Sequence, residues 1–269
     1  MGKKICLLTI DGQFDFCDPK GKLYVQGAEK DMSRLAKMVR RISGDLDDII
    51  ATLDSHRTLH IAHPVWWVDA QGNHPTPFTL INEADVVGVN PKWKATNPGY
   101  QERSIEYVKK LAANKRYVLC IWPPHCLIGS QGHSIYPELF DAFCEWEKQF
   151  AVINYVTKGS NIFTEHYSAL CADVFDAEDP TTGINTNLIQ MLQDPEIVLI
   201  GISGEASTHC VRSTVMDIAD NFGEENIKKF VYLEDTCSPV PGFEYLQLDF
   251  IDKMTKRGMQ IMTSDKFLK

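Results

Sequence analysis

The chain of 269 residues is long enough for one large α/β domain or two small ones. Its 44% hydrophobic and 23% charged residues are the balance of an ordinary globular protein, which excludes disordered, collagenous and coiled-coil architectures. With 27 basic and 36 acidic side chains the net charge is −9, which repels nucleic-acid backbones and anionic membrane surfaces and argues against both as partners. No apolar run approaches the roughly 20 residues of a bilayer span, and the short run 5–10 leads straight into polar Asp11-Gly12-Gln13. The eight cysteines contain no C-x-x-C pair, so the expectation is a cytoplasmic protein without a disulfide framework.

In chain order, a β-branched run predicts a strand at Ile5–Ile10, and Leu35, Met38, Val39 and Ile42 then mark one face of a helix. A second strand is expected at Asp48–Leu53. After it comes a stretch from His63 to Gln101, rich in Pro, Gly and Asn and too long for an ordinary βα connection. Ile105, Val108, Leu111 and Ala112 predict a further helix, followed by strands at Tyr117–Trp122, Val152–Val156, Ile197–Ile202 and Phe230–Leu233. A helix carrying Val211, Val215, Met216 and Ile218 lies between the last two, and a late strand is expected near Met259–Met262. Alternation of this kind predicts an α/β fold of three layers, a central, mostly parallel six-stranded sheet flanked by helices, in one domain over 1–269.

In open parallel sheets, ligands bind beyond the carboxyl ends of the strands. Five successive strand ends here carry ionisable groups: Asp11, Asp15, the Asp54-Ser55-His56 run, His125, Lys158 and the stretch Glu205–Arg212. An Asp at such a place is commonly a helix cap and a lone Lys commonly points into water, but the joint pattern is harder to dismiss. Cys210 sits at a strand-to-helix turn, where backbone N–H groups and the helix dipole favour a thiolate, against the plainer reading of a buried structural cysteine. Asp11 is suited to take its proton and Lys158 to stabilise the anions, a nucleophile built without histidine. Asp54, His56 and His125 offer one carboxylate and two imidazoles, a set that suits Zn²⁺, Fe²⁺ or Mn²⁺ with positions left for water. His60, His63, His74 and His133 are weaker candidates.

These residues stand in motifs that resemble the isochorismatase-like cysteine hydrolases, and within them the nicotinamidases and pyrazinamidases. The motifs are Asp11-Gly12-Gln13-Phe14-Asp15-Phe16, Asp54-Ser55-His56, Trp122-Pro123-Pro124-His125-Cys126 and Ala206-Ser207-Thr208-His209-Cys210-Val211-Arg212-Ser213-Thr214. The resemblance spans nearly the whole chain. It implies Asp11, Lys158 and Cys210 as the catalytic set, Asp54, His56 and His125 as ligands of one divalent metal, Zn²⁺ ahead of Fe²⁺ or Mn²⁺, and His60 as an additional ligand. It also implies Phe16 and Trp122 as the rings that sandwich a pyridine, and an oxyanion hole of the Ala206 and Cys210 amides after a cis Glu205–Ala206 bond.

Three departures stand out. Glu205 replaces a small or apolar residue, Ser207-Thr208 replaces the common Thr-Asp, and the wide gap between Asp54 and His125 makes about 63–115 an insertion. That insertion carries Val65, Trp66, Trp67, Val68, Phe78, Leu80, Ile81, Val86, Val87 and Trp93, so it must pack against something. The expectation is Val65–Val68 beside the metal loop and Phe78–Trp93 at a subunit contact of a homo-oligomer. The function so implied is hydrolysis of a small-molecule amide, nicotinamide, through a Cys210 thioester, with the metal holding the ring nitrogen. A sibling hydrolase of another amide or carbamoyl compound, and a non-catalytic binding protein on the same fold, are the alternatives.

Overall fold

The computed structural model describes residues 2–269. Six strands, β1 (Lys4–Ile10), β2 (Asp48–Asp54), β3 (Asn154–Lys158), β4 (Ile197–Gly204), β5 (Phe230–Leu233) and β6 (Gln260–Met262), form one sheet in the order β6-β5-β4-β1-β2-β3. Every pairing in it is parallel. The chain works outward from β1 in one direction and then, from β4, in the other, so the strand order reverses beside β1 and leaves a crevice at the carboxyl ends of β1 and β4.

Period-two alternation in β1 and β2 supplies both faces of the sheet. Leu7, Ile49 and Ala51 point into one core with Met32, Leu35 and Val39 of α1 (Ala28–Arg41). Cys6, Leu8, Ile10 and Ile50 point into the other, with Tyr107, Val108 and Leu111 of α2 (Gln101–Asn114). The first core is closed by Leu139 and Phe143 of α3 (Pro137–Glu147). The second is closed by Leu188 and Leu192 of α4 (Thr186–Leu192), Val211, Val215 and Phe222 of α5 (Cys210–Phe222), and Phe250 and Met254 of α6 (Glu244–Lys256). Each such side chain contributes about 1.5–3 kcal/mol of burial, which is why the apolar spacing of α1, α2 and α5 was readable in the sequence.

The expected strand at Tyr117–Trp122 does not join this sheet. Only Leu119–Cys120 is extended, paired antiparallel with Leu80–Ile81, while Ile121 N–H donates to Thr79 O (2.9 Å) and Trp122 N–H to Ala62 O (2.8 Å). Its apolar character comes from burial under the 63–115 segment, and the sixth place in the sheet goes to the late strand at 260–262. The fourth expected strand is displaced two residues toward the carboxyl end, to Asn154–Lys158, which brings Lys158 into register with Asp54.

Segment 63–115 largely packs on its own chain. Trp66, Trp67, Ile81, Val86 and Trp93 all belong to the same core as Leu8 and Ile50, and the Trp67 indole N–H donates to Ile61 O (2.7 Å). Ile81, Val86 and Trp93 are therefore not available for the subunit contact expected of that stretch, whereas Phe78, Leu80 and Val89 are exposed. Among the described residues, no helix is long and apolar enough to cross a membrane.

Candidate active site

The crevice beside β1 collects the ionisable residues singled out in the sequence. Asp11 follows β1 in a left-handed turn (φ 49°), a conformation Asp tolerates better than most residues, and accepts a hydrogen bond from Thr52 Oγ1 (2.5 Å). Lys158, at the tip of β3, places its ammonium 2.8 Å from Asp11 Oδ2, 3.1 Å from Asp54 Oδ1 and 3.5 Å from Cys210 Sγ. All four residues are buried. Burial alone would strip the lysine of its proton, but Asp11, Asp54 and Cys210 around it hold it charged, with a pKa well above the ordinary lysine value. Asp11 is raised by burial against the pull of Lys158.

At Cys210 the structure differs from the expected thiolate. Burial pushes the thiol well above its usual range, and Lys158 does not overcome burial together with the Asp11 and Asp54 charges. The resting sulfur is thus a thiol beside its own proton acceptor, and a position at a helix start is outweighed by desolvation.

The turn from β4 into α5 contains the expected cis Glu205–Ala206 bond. Ser207 N–H donates to Ser238 O (3.0 Å) and Val211 N–H to Ala206 O (3.2 Å). The amides of Ala206 and Cys210 have no acceptor among the described residues, which leaves two donors free beside the sulfur.

Next to this set, Asp54 Oδ2 lies 2.9 Å from His56 Nε2 and 3.3 Å from His125 Nε2. Burial would raise Asp54, but His56, Lys158 and His125 hold it ionised, well below the usual carboxylate range. His56 is lowered by burial and is a neutral imidazole at pH 7. His125 arrives on a loop rather than from a strand of the main sheet. Two contacts tie that loop alongside His56: His56 N–H donates to Cys126 O (3.1 Å) and Ile128 N–H to His56 O (3.0 Å). The ring of His125 approaches the Pro123 carbonyl through Nδ1 (2.8 Å), so Nδ1 carries a proton and Nε2 faces Asp54. One ionised carboxylate oxygen and two imidazole nitrogens converging in a buried corner fit a divalent metal ion, and the three donor atoms lie within 4.8 Å of one another.

Both nitrogens of His60 are engaged: Nδ1 accepts from Ala62 N–H (3.2 Å), and Nε2 faces Thr164 O (3.2 Å) and Glu165 Oε1 (3.5 Å). His63 is fully buried beside the set, held neutral by a pKa lowered by burial to about 3. His133 pairs with Ser55 Oγ (2.7 Å) and His74 is exposed, so neither joins the cluster.

A small cavity opens onto Cys210, His56 and His125 and has Phe16, Trp122 and Tyr167 among its walls. Phe16 meets the His125 ring edge-on (centroids 5.3 Å), and the Trp122 indole N–H donates to Tyr167 OH (2.9 Å). Sequence reasoning missed Tyr167 and Glu165, which line the same cavity without a distinguishing spacing, and gave His209 no role beyond its place in the last motif. It also left Gln13 and Asp15 without a role, although both stand in the first motif. The Gln13 amide clasps the end of β2, donating to Asp54 O (2.8 Å) and accepting from Asp54 N–H (2.7 Å), and Asp15 Oδ2 accepts from Cys126 N–H (2.7 Å).

No family model matches the chain, and no curated protein matches it either. Among solved structures, a nicotinamidase/pyrazinamidase of Acinetobacter baumanii aligns over 100% of both chains at 19% identity and a TM-score of 0.66. The yeast nicotinamidase bound to the inhibitor nicotinaldehyde aligns over 96% of this chain and 99% of its own, at 17% identity and a TM-score of 0.65. A pyrazinamidase of Pyrococcus horikoshii in complex with zinc aligns over 97% and 99%, at 19% identity and a TM-score of 0.57. The chain thus has the three-layer α/β fold of these proteins, with a buried cluster of ionisable residues at the sheet's reversal point. At this level of identity the nicotinamidases and pyrazinamidases are its structural neighbours, and the likeness is one of fold.

Proposed function

We propose that the protein is a metal-dependent cysteine amidohydrolase that converts nicotinamide to nicotinate and ammonia. The observation that carries this reading is the buried Lys158 ammonium within reach of both Asp11 and Cys210 Sγ, beside two unpaired amides. A thiol that remains protonated until a neighbouring carboxylate accepts its proton needs such an arrangement. Fold likeness to amidases crystallised with nicotinaldehyde and with zinc supports the substrate class and the metal.

In the first half-reaction Asp11 takes the Cys210 proton as the sulfur attacks the carboxamide carbon, and the amides of Ala206 and Cys210 hydrogen-bond the oxyanion. The C–N bond breaks as Asp11 passes the proton to the nitrogen, so ammonia leaves and a Cys210 thioester remains. Water, deprotonated by Asp11, then attacks the thioester; the C–S bond breaks, nicotinate is released and the thiol re-forms. Lys158 stays an ammonium throughout and offsets the negative charge of each step. Phe16 and Trp122 hold the ring. Asp54, His56 and His125 would hold the cation, Zn²⁺ ahead of Fe²⁺ or Mn²⁺, which when bound would supply a Lewis-acidic anchor for the pyridine nitrogen.

Ammonia release from nicotinamide, pyrazinamide and a carbamoyl compound tests the proposal. Turnover of nicotinamide is expected. Turnover of the carbamoyl compound alone would favour a sibling hydrolase, and no release from any amide would favour a binding protein.

A further inference from the structure

His56, His63 and His125 pack as three mutually edge-on imidazoles, with centroid separations of 4.7, 5.3 and 5.8 Å and interplanar angles of 62–67°. What separates His63 from its neighbour His60 is the state of its ring nitrogens. The amide of Ala62 donates to His60 Nδ1, so the proton of that neutral ring sits on Nε2, where Thr164 O receives it, and no lone pair is left over. In His63 the proton sits on Nδ1, which faces Thr58 O (3.2 Å), and the Nε2 lone pair is left fully buried without any partner. A buried acceptor left without a donor is costly, so it calls for a ligand. His125 has the same disposition, with Nδ1 on the Pro123 carbonyl and Nε2 turned to Asp54. An imidazole whose Nδ1–H is fixed on a carbonyl and whose Nε2 is bare is oriented as metal-binding histidines are.

We propose that His63, through Nε2, is an additional ligand of the cation held by Asp54, His56 and His125. The inference rests on the metal-dependent reading above. A carboxylate and three imidazoles make a four-donor protein set, and the pyridine nitrogen would then be a fifth donor, a number that Zn²⁺ and Co²⁺ accept. It also assigns the additional-ligand role to a histidine three residues beyond His60, the one that the family resemblance indicates.

The test uses the full chain loaded with Zn²⁺, titrated against a chromophoric chelator and examined by X-ray absorption at the zinc edge. His63→Phe, which fills the volume without a donor, and His63→Ala are each expected to weaken zinc binding 10- to 100-fold and to lower the imidazole count from three to two. His60→Ala is expected to leave both within about twofold, and circular dichroism checks that the variants fold. Unchanged affinity and count in both His63 variants, or a loss on His60→Ala in their place, would overturn the inference. His56→Ala separates the two levels. If it abolishes binding while the His63 variants do not, only the His63 assignment falls; if it too leaves binding unchanged, the metal at Asp54 falls with it.

Discussion

Two carboxylates, one ammonium and one thiol share a space from which water is excluded, so each substitution there has a defined sign. Cys210→Ala is expected to reduce ammonia release by at least about a thousandfold and to leave the unfolding midpoint nearly unchanged, because a small, nearly buried thiol gives way to a methyl. Lys158→Met is different. It strands Asp11 and Asp54 without their cation, and should cost about 3–5 kcal/mol in urea unfolding at pH 7 in addition to activity. A loss below about 1 kcal/mol would show that the two carboxyls do not carry charge together. His209, buried and stacked on Tyr117 (5.4 Å, 20°), has a pKa lowered by burial to about 3. A group lowered on folding contributes stability that is complete above its unfolded value near 6.5 and is lost as pH falls toward 3, a contribution on the order of 4–5 kcal/mol. His209→Gln should therefore flatten the acid side of the stability curve between pH 6.5 and 3, read by urea midpoints across that range.

The connection between β4 and α5 depends on a glycine at its start. Gly204 has φ +125° and pairs with Ile10, and a Cβ built on it would meet Ile10 O at 1.8 Å, closer than any contact can be. Gly204→Ala is expected to cost about 4 kcal/mol or more and to separate β1 from β4, moving Asp11 away from Cys210. The loop that carries His60 and His63 has its own strut in the Trp67–Ile61 hydrogen bond, and Trp67→Ala should destabilise the protein by roughly 3–5 kcal/mol through the cavity it leaves. The misplaced strand at 117–122 is instructive at this scale. Four of its residues, Leu119 to Trp122, are nearly or fully buried, and an apolar run shows burial without showing what buries it. Here the cover is Thr79–Ile81 and Ala62 rather than two strands of the sheet, and only long-range pairing could reveal that.

Across the whole molecule, the parallel sheet joins residues from both halves of the chain into one pocket, so a ligand there stabilises the entire fold. A cation at about a thousandfold excess over its dissociation constant adds roughly 4 kcal/mol, and its removal by chelator should lower the unfolding temperature by roughly 10 °C. An unfolding temperature that ignores chelation would count against a resident metal. The homo-oligomer expected from the 63–115 segment rests on fewer groups than first counted, since Trp93 is only 7% exposed and packs in its own core. Light scattering of the intact protein and of Phe78→Asp is the measurement: an oligomer that dissociates in the variant is the expected outcome, and a monomer in both would confine the segment to its own chain.

By itself the sequence determined all six sheet strands to within two residues, together with a seventh run at 117–122 that the sheet does not contain. The amphipathic helices, and the residues at Asp11, Asp54, His56, His125, Lys158 and Cys210 that the fold brings together, were legible in it as well. Periodicity and strand-end position are local properties, written in neighbouring residues. Tertiary structure alone decided which run occupies the sheet's edge, that Gln13 clasps Asp54, that Cys210 rests as a thiol, and that His63 rather than His60 has a nitrogen left without a partner. Each of these depends on which distant group lies within about 3 Å, or on how completely water is removed. Desolvation and hydrogen-bond pairing follow from the packing of segments 41 to 111 positions apart, and no local pattern records them.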